Sequence, residues 1–211
     1  MYLGIGTGGY GFAFFVPTIL YQLGWTAQRA QVMSIPLYCT GAVITIIVAF
    51  ISDLVKHRYG FVILGVLIAT IGYGVLLAQK SVSIPGQYTA LYLIAIGSDI
   101  CQSILLVWTN NNLAGHYKRS VGAAVQLSIG NLSGIVGSNI FLANQRPGYK
   151  TGYGVSLGLI WTAAVAATVF FISIHLENKR RDRGERDNRF NLPEDEKDNL
   201  GDDDPRFRFV Y

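Results

Sequence analysis

Six runs of about twenty residues are almost free of charge, and this constrains the chain more than any other feature. They cover residues 2–22, 31–52, 60–79, 88–111, 121–143 and 153–176. A helix needs about 20 mostly apolar residues to cross the hydrocarbon core of a bilayer. Inside that core only a helix or a closed barrel satisfies every backbone N–H and C=O. The sequence therefore predicts an all-α fold, a polytopic membrane bundle of six transmembrane helices within residues 1–176. The first run is too long, too rich in glycine and tyrosine, and too poor in N-terminal basic residues for a secretory signal peptide, so it reads as a true span.

Charge divides the chain a second way. Residues 1–176 hold 10 of the 30 charged residues and residues 177–211 hold the other 20. The second segment, rich in charge and poor in apolar surface, cannot bury enough to fold alone and reads as a disordered cytoplasmic tail. Orientation follows from Lys and Arg near the span ends, because positive loops are retained in the cytoplasm. The connectors at 53–59 and 112–120 carry Lys56, Arg58, Lys118 and Arg119, and the start of the tail adds Lys179, Arg180, Arg181, Arg183, Arg186 and Arg189. The opposite connectors at 23–30, 80–87 and 144–152 hold only Arg29, Lys80, Arg146 and Lys150. Both ends of the chain are thus expected in the cytoplasm, with the bundle in the plasma membrane. The excess positive charge lies in scattered short loops, so it gives no nucleic-acid surface.

Several spans carry polar stripes. Gln31, Ser34, Tyr38, Gly41, Thr45 and Ser52 fall at helical spacing on the second, and Tyr88, Tyr92, Asp99, Gln102, Ser103 and Asn110 on the fourth. The fifth has Ser128, Asn131 and Ser138 on one side, and Gln126, Gly130, Ser133 and Gly137 beside them. Such stripes turn away from lipid, toward either a hydrated cavity or an interhelical hydrogen-bond network. Asp99 is the sharpest residue, an acid near the middle of its span. Its carboxylate must be hydrated, paired or protonated, which fits a proton-carrying or substrate-facing group, or a protonated Asp bonded across to a neighbouring amide or hydroxyl. No Lys, Arg or His lies at comparable depth.

Glycines four apart, Gly4/Gly8, Gly130/Gly134, Gly148/Gly152 and Gly154/Gly158, suggest helix packing, and Pro17 and Pro36 allow kinks. Trp25 and Trp108 read as interfacial anchors. Asp53 with Lys56 and Arg58, and the second basic connector with Lys118 and Arg119, are candidates for gating latches or plain topology signals. Cys39 and Cys101 lie in apolar runs and imply neither a disulfide nor a metal site. Asp202, Asp203 and Asp204 lack calcium-loop spacing. No cofactor is implied. An enzyme is disfavoured, because no triad, paired His ligands or paired buried acids share a depth.

The chain also resembles a known family. FFVPTIL, LGW, SIPLY, SD with KHR, WTNNNLAGHYKRSVGAAVQLSIGNLSGIVGSNIF, RPGYKTGY and LGDDDPRFRFVY together look like the C-terminal half of a fungal major facilitator superfamily carrier. The similarity is to its anion:cation symporter group, which includes allantoate and high-affinity nicotinate permeases. The pattern carries over to Trp108, Asn110, Asn111, Gly115, Lys118, Arg119, Gln126, Gly130 and Asn131. The resemblance implies a twelve-helix fold in two halves, with these spans as the second half. It also implies proton-coupled uptake of a small organic carboxylate by alternating access.

The expected partners are then a small organic anion such as nicotinate or allantoate, a proton, the lipid bilayer, and an N-terminal six-helix half, which makes this chain a truncated one. Substrate contacts are expected from Tyr38, Tyr92, Asp99, Gln102, Gln126 and Asn131, with Asp99 coupling the proton. The alternative is a non-transporting receptor or assembly partner whose tail is its interaction module.

Overall fold

The computed structural model describes residues 1–146, 148–191 and 200–211. Its frame is six helices, α1 (Tyr2–Gln22), α2 (Ala27–Val55), α3 (Arg58–Leu77), α4 (Ile84–Asn111), α5 (His116–Asn139) and α6 (Lys150–Asp182). Each is long and apolar enough to cross a membrane, and no strand occurs among the described residues. This is the expected all-α bundle.

Helix ends extend past the apolar runs where the local chemistry allows it. α2 starts at Ala27 because the Thr26 side chain accepts a hydrogen bond from the Arg29 N–H at 3.4 Å, satisfying one of the orphan donors of the first turn. It stops where Lys56 turns left-handed, at φ 56°. Pro85 opens α4, where its missing N–H costs nothing. Pro17 and Pro36 lie inside α1 and α2 without ending either helix.

α1 and α4 pack on each other at the centre of the bundle. α1 also carries α5, α6 and α2, while α4 carries α2, α3 and α5. Exchanging α1, α2, α3 with α4, α5, α6 preserves these pairings. The two three-helix stretches thus share one main pattern of contacts.

The tightest seam joins α3 to α4. A methyl group placed on Gly97 would lie 2.5 Å from the Gly65 carbonyl oxygen and 2.6 Å from the Ala69 nitrogen. Gly11 and Gly137 meet similarly between α1 and α5, where a methyl on Gly137 would lie 2.7 Å from the Gly11 nitrogen. Of the pairs read from sequence, Gly4 and Gly8 face α6, and Gly130 and Gly134 lie under the rings of Tyr2 and Tyr10. Gly154 and Gly158 meet nothing within 4 Å.

The end of the bundle bearing Lys56, Arg58, Lys118, Arg119 and Lys179, here called the basic end, departs from expectation. α6 continues to Asp182 and presents Asn178 and Arg181 as buried groups. Residues 202–211 lie against the ends of α3, α4 and α6 instead of forming a disordered tail. The bundle supplies the buried polar partners that this segment lacks on its own. Residues 192–199 of the expected tail lie outside the described residues. Trp108 is fully buried with its indole N–H donating to the Val210 carbonyl, so it is not an interfacial anchor. Trp25 packs edge-on against Tyr88 near the opposite end.

Two outcomes follow from this packing. Gly97→Leu should destabilise the bundle by about 1–3 kcal/mol or more, since overpacking of a tight seam must move backbone, whereas Gly158→Ala should not; thermal unfolding in detergent compares them. At the basic end the Arg189 hydrogen bond to Asp203, 2.7 Å, holds that carboxyl below its usual range against the opposing effect of burial. A carboxyl depressed on folding stabilises above its unfolded pKa, about 3.9, and loses that contribution as pH falls through the lower folded value. The contact should persist at pH 5 and open only in stronger acid, with Asp203→Asn removing the transition; NMR of the Arg189 guanidinium follows it.

Candidate functional site

The central helices α1 and α4, with α2 alongside, border open depressions lined by some of the polar stripe residues. Two cavities open there. One of about 200 Å³ is lined by Gly9, Tyr10, Tyr38, Ser98, Asp99 and Gln102, among others. The second, about 540 Å³, is lined by Tyr2, Thr45, Asp99, Gln102, Ser103 and Leu106, among others. Asp99 and Gln102 border both. The α4 helix explains why: residues three apart share a face, so the acid and the amide stand one turn apart above the same space.

Small residues let the acid reach that position. Any side chain on Gly41 of α2 would run into the Asp99 carboxylate. Among the described residues no side chain forms a hydrogen bond or ion pair with Asp99, and neither cavity has a Lys, Arg or His in its lining. The Ser98 and Thr45 hydroxyls beside it are buried and likewise lack a protein partner. Buried polar groups are seldom left unpaired, so this cluster has the chemistry of a surface awaiting water or a polar ligand. Both features offered by the stripes occur around Asp99: open cavities at the carboxyl and interhelical hydrogen bonds among the lining residues.

The aromatic wall comes from α1. Tyr10 donates its hydroxyl proton to the Asn131 side-chain oxygen at 2.7 Å, linking α1 to α5, and Gln102 Nε2 donates to the Tyr2 hydroxyl at 3.4 Å. Tyr38 donates to the Ala13 carbonyl at 3.4 Å. The structure thus brings Tyr38, Asp99 and Gln102 to one site and reaches Asn131 through Tyr10.

Tyr92 and Gln126 sit elsewhere. Tyr92, seven residues or about 10 Å along α4 from Asp99, has its hydroxyl 3.2 Å from that of Tyr88, in the Trp25 aromatic cluster. Gln126 donates to the Leu105 carbonyl at 3.3 Å and to the Thr109 hydroxyl at 3.4 Å, tying α5 to α4. Neither lines the cavities around Asp99. Tyr2 and Tyr10 are lining residues that sequence reading passed over. Their signal was present, since residues eight apart fall on one helix face.

Among the connector residues, Arg58 pairs with Asp53 at 2.5 Å, Lys118 pairs with Asp202 at 2.5 Å, and Arg119 Nε donates to the Leu113 carbonyl at 3.3 Å. Lys56 forms the left-handed end of α2. No three His, Cys, Asp or Glu side chains cluster as metal ligands among the described residues.

This six-helix frame with polar open cavities beside Asp99 belongs to a chain with clear sequence relatives. An uncharacterized transporter of Schizosaccharomyces pombe is 37% identical over 182 residues, covering 84% of this chain and 36% of that protein. An MFS-type transporter of Penicillium expansum is 32% identical over 208 residues, 95% of this chain and 40% of its own length. Over most of its length, this chain is a relative of fungal major facilitator-type transporters. The high-affinity nicotinic acid transporter of Saccharomyces cerevisiae is 27% identical across 99% of this chain and 39% of its own length. The chain therefore spans about two fifths of the length of these relatives. No family model and no solved structure matches it. Six helices long and apolar enough to cross a membrane, in a chain whose relatives are transporters, make it a multi-pass membrane protein.

A hydrated Asp99 should react with a water-soluble carbodiimide in intact membranes, and Asp99→Asn should abolish the labelling. Mass spectrometry of the α4 peptide reads the outcome; modification by a lipid-soluble carbodiimide alone would mean that water does not reach the carboxyl.

Proposed function

We propose that this chain is the C-terminal six-helix half of a secondary carrier, which takes up a small organic carboxylate together with a proton. The observation that carries the reading is Asp99, a carboxyl with no side-chain partner among the described residues, bordering two open cavities in a chain whose relatives are transporters. Alternating access needs two bundles rocking about a shared site. The exposed apolar faces of α2 and α5 provide surface for an N-terminal six-helix half. The basic end faces the cytoplasm of a plasma-membrane carrier, in accord with the distribution of Lys and Arg.

Nicotinate is the substrate to try first, because one relative is a nicotinic acid transporter; allantoate and related ureides come next. The cavity linings of this half offer no cation to the substrate's carboxylate. Its countercharge must come from the other half, from the co-transported proton, or from helix N-termini. This half contributes aromatic faces through Tyr2, Tyr10 and Tyr38, and hydrogen bonds through Gln102. Asp99 accepts the proton when the cavity opens to the outside and releases it inward, a role suited to an intramembrane acid. Tyr92 and Gln126 act on helix packing and not on the ligand. The seating of residues 202–211 on the bundle favours the carrier reading over a tail that works as a free interaction module.

Joined behind the first six helices of the Schizosaccharomyces pombe relative, the chain should support acid-stimulated uptake of labelled nicotinate or a competing carboxylate in yeast lacking its own. Asp99→Asn should reduce the rate at least about tenfold, or about 1.4 kcal/mol, and flatten its pH dependence. An unchanged rate with an unchanged pH profile would remove Asp99 from the mechanism.

A further inference from the structure

The segment Asp202–Tyr211 crosses the basic end over α3, α4 and α6, and the helices hold it chiefly by its backbone. Asn112, at the end of α4, donates to the Val210 carbonyl at 3.0 Å and accepts from the Val210 N–H at 2.8 Å. Trp108, one turn earlier, donates to the same carbonyl at 2.8 Å. Asn178 of α6 repeats the two-way bond one residue along, accepting from the Phe209 N–H and donating to the Phe209 carbonyl, both at 2.9 Å. Arg181, one turn further, donates to the carbonyls of Asp202, Asp204 and Phe207 at 2.9, 3.1 and 2.9 Å. The first N–H of α3, that of Arg58, donates to the Tyr211 carbonyl.

These are not incidental surface contacts. Trp108, Asn112, Asn178 and Arg181 are all nearly inaccessible to solvent, and buried donors and acceptors are costly when left unpaired. Most of their hydrogen bonds in this structure go to the one segment, so without it the helices would expose a patch of unmet polar groups beside the membrane. Side-chain recognition accompanies the backbone bonds. The Arg181 guanidinium lies 4.6 Å from the centre of the Phe209 ring. The Tyr211 ring packs on Phe171 and His175 at 5.7 and 5.4 Å, and its hydroxyl accepts from Asn178 at 2.9 Å. At the acidic start, Asp202 accepts from Lys118 at 2.5 Å and Asp203 from Arg189 at 2.7 Å. Backbone bonds supplying affinity and side-chain pockets supplying selectivity are the general form of extended-peptide recognition.

We infer that the basic ends of α3, α4 and α6 form a peptide-binding site whose ligand is the acidic and aromatic segment Asp202–Tyr211 of the same chain. The seated segment acts as a clasp. It fastens the α2–α3 connector to α4 and α6, because Arg58, held through its backbone, turns its guanidinium to Asp53 at 2.5 Å. The same guanidinium also meets the Asn111 side-chain oxygen, with that amide turned toward it, at 3.1 Å. Seating therefore sets the geometry of the Asp53–Arg58 pair and makes three helix ends one unit. The inference stands on these contacts and is independent of what the carrier transports.

Hydrogen exchange on the full chain in nanodiscs tests it. The Phe209 and Val210 amides should exchange at least about a hundredfold more slowly than in the free peptide DDDPRFRFVY. Asn112→Ala and Asn178→Ala should remove that protection while α4 and α6 keep theirs. A chain carrying Phe209→Ala and Tyr211→Ala should release its own segment and leave the site open to the free peptide. The peptide should then bind saturably, with a change in Trp108 emission, and a scrambled peptide should not. Unprotected Phe209 and Val210 amides in the unaltered chain would overturn the inference. So would failure of the peptide to bind the doubly substituted chain while its helices remain protected.

Discussion

The absence of any hydrophobic drive between helices already immersed in hydrocarbon governs this bundle. Where lipid solvates leucine as well as another helix does, association depends on van der Waals contact at short range and on hydrogen bonds between helices. The structure answers with backbone seams. Gly65 of α3 meets Gly97 of α4, and Gly11 of α1 meets Gly137 of α5, so each central helix is held to a flanking helix where neither has a side chain. The polar links are laid over these seams: Tyr10 to Asn131, Gln126 to the α4 backbone, and Tyr73 of α3 to the Gly8 carbonyl of α1 at 3.3 Å.

The site depends on the same constraint. Asp99 lies two residues beyond Gly97, on a different face of α4, and it occupies space left free by Gly41 on α2. A larger residue at position 41 would displace the carboxylate from the cavities. The glycine that elsewhere brings two backbones together here makes room for an acid between two helices. Close packing and the candidate site are therefore two uses of one rule, and a substitution in this region acts on both.

Much of this was legible in the sequence because apolar runs of about twenty residues have few other solutions. The six spans, their number and the shared face of Asp99 and Gln102 follow from length and helical spacing, and Tyr38 joins them at one cavity. Tyr92 and Gln126 share polar stripes with true cavity residues yet lie elsewhere, because a stripe runs the length of a helix while a cavity occupies a turn or two of it. The α3–α4 seam was missed for a related reason. Gly65 and Gly97 have no glycine four residues away in their own helices; they pair with each other across the interface, and a spacing rule within one helix cannot see that. Gly154 and Gly158 satisfy the rule and pack against nothing within 4 Å.

The tail shows where composition misleads. High charge and low apolar content argue that residues 177–211 cannot make a core of their own, but the inference to disorder assumes that the rest of the chain offers them nothing. Trp108 lies in an apolar run, where an indole reads as a membrane-interface residue, and Asn112 and Asn178 lie at helix ends, where an amide reads as solvated. Only together do they form a row of donors and acceptors spaced to meet consecutive backbone groups at Phe209 and Val210. The energetic logic is reciprocal. The segment is ordered because the helix ends carry buried polar groups, and those groups can be buried there because the segment satisfies them. A property shared in this way between two stretches about a hundred residues apart belongs to neither stretch alone.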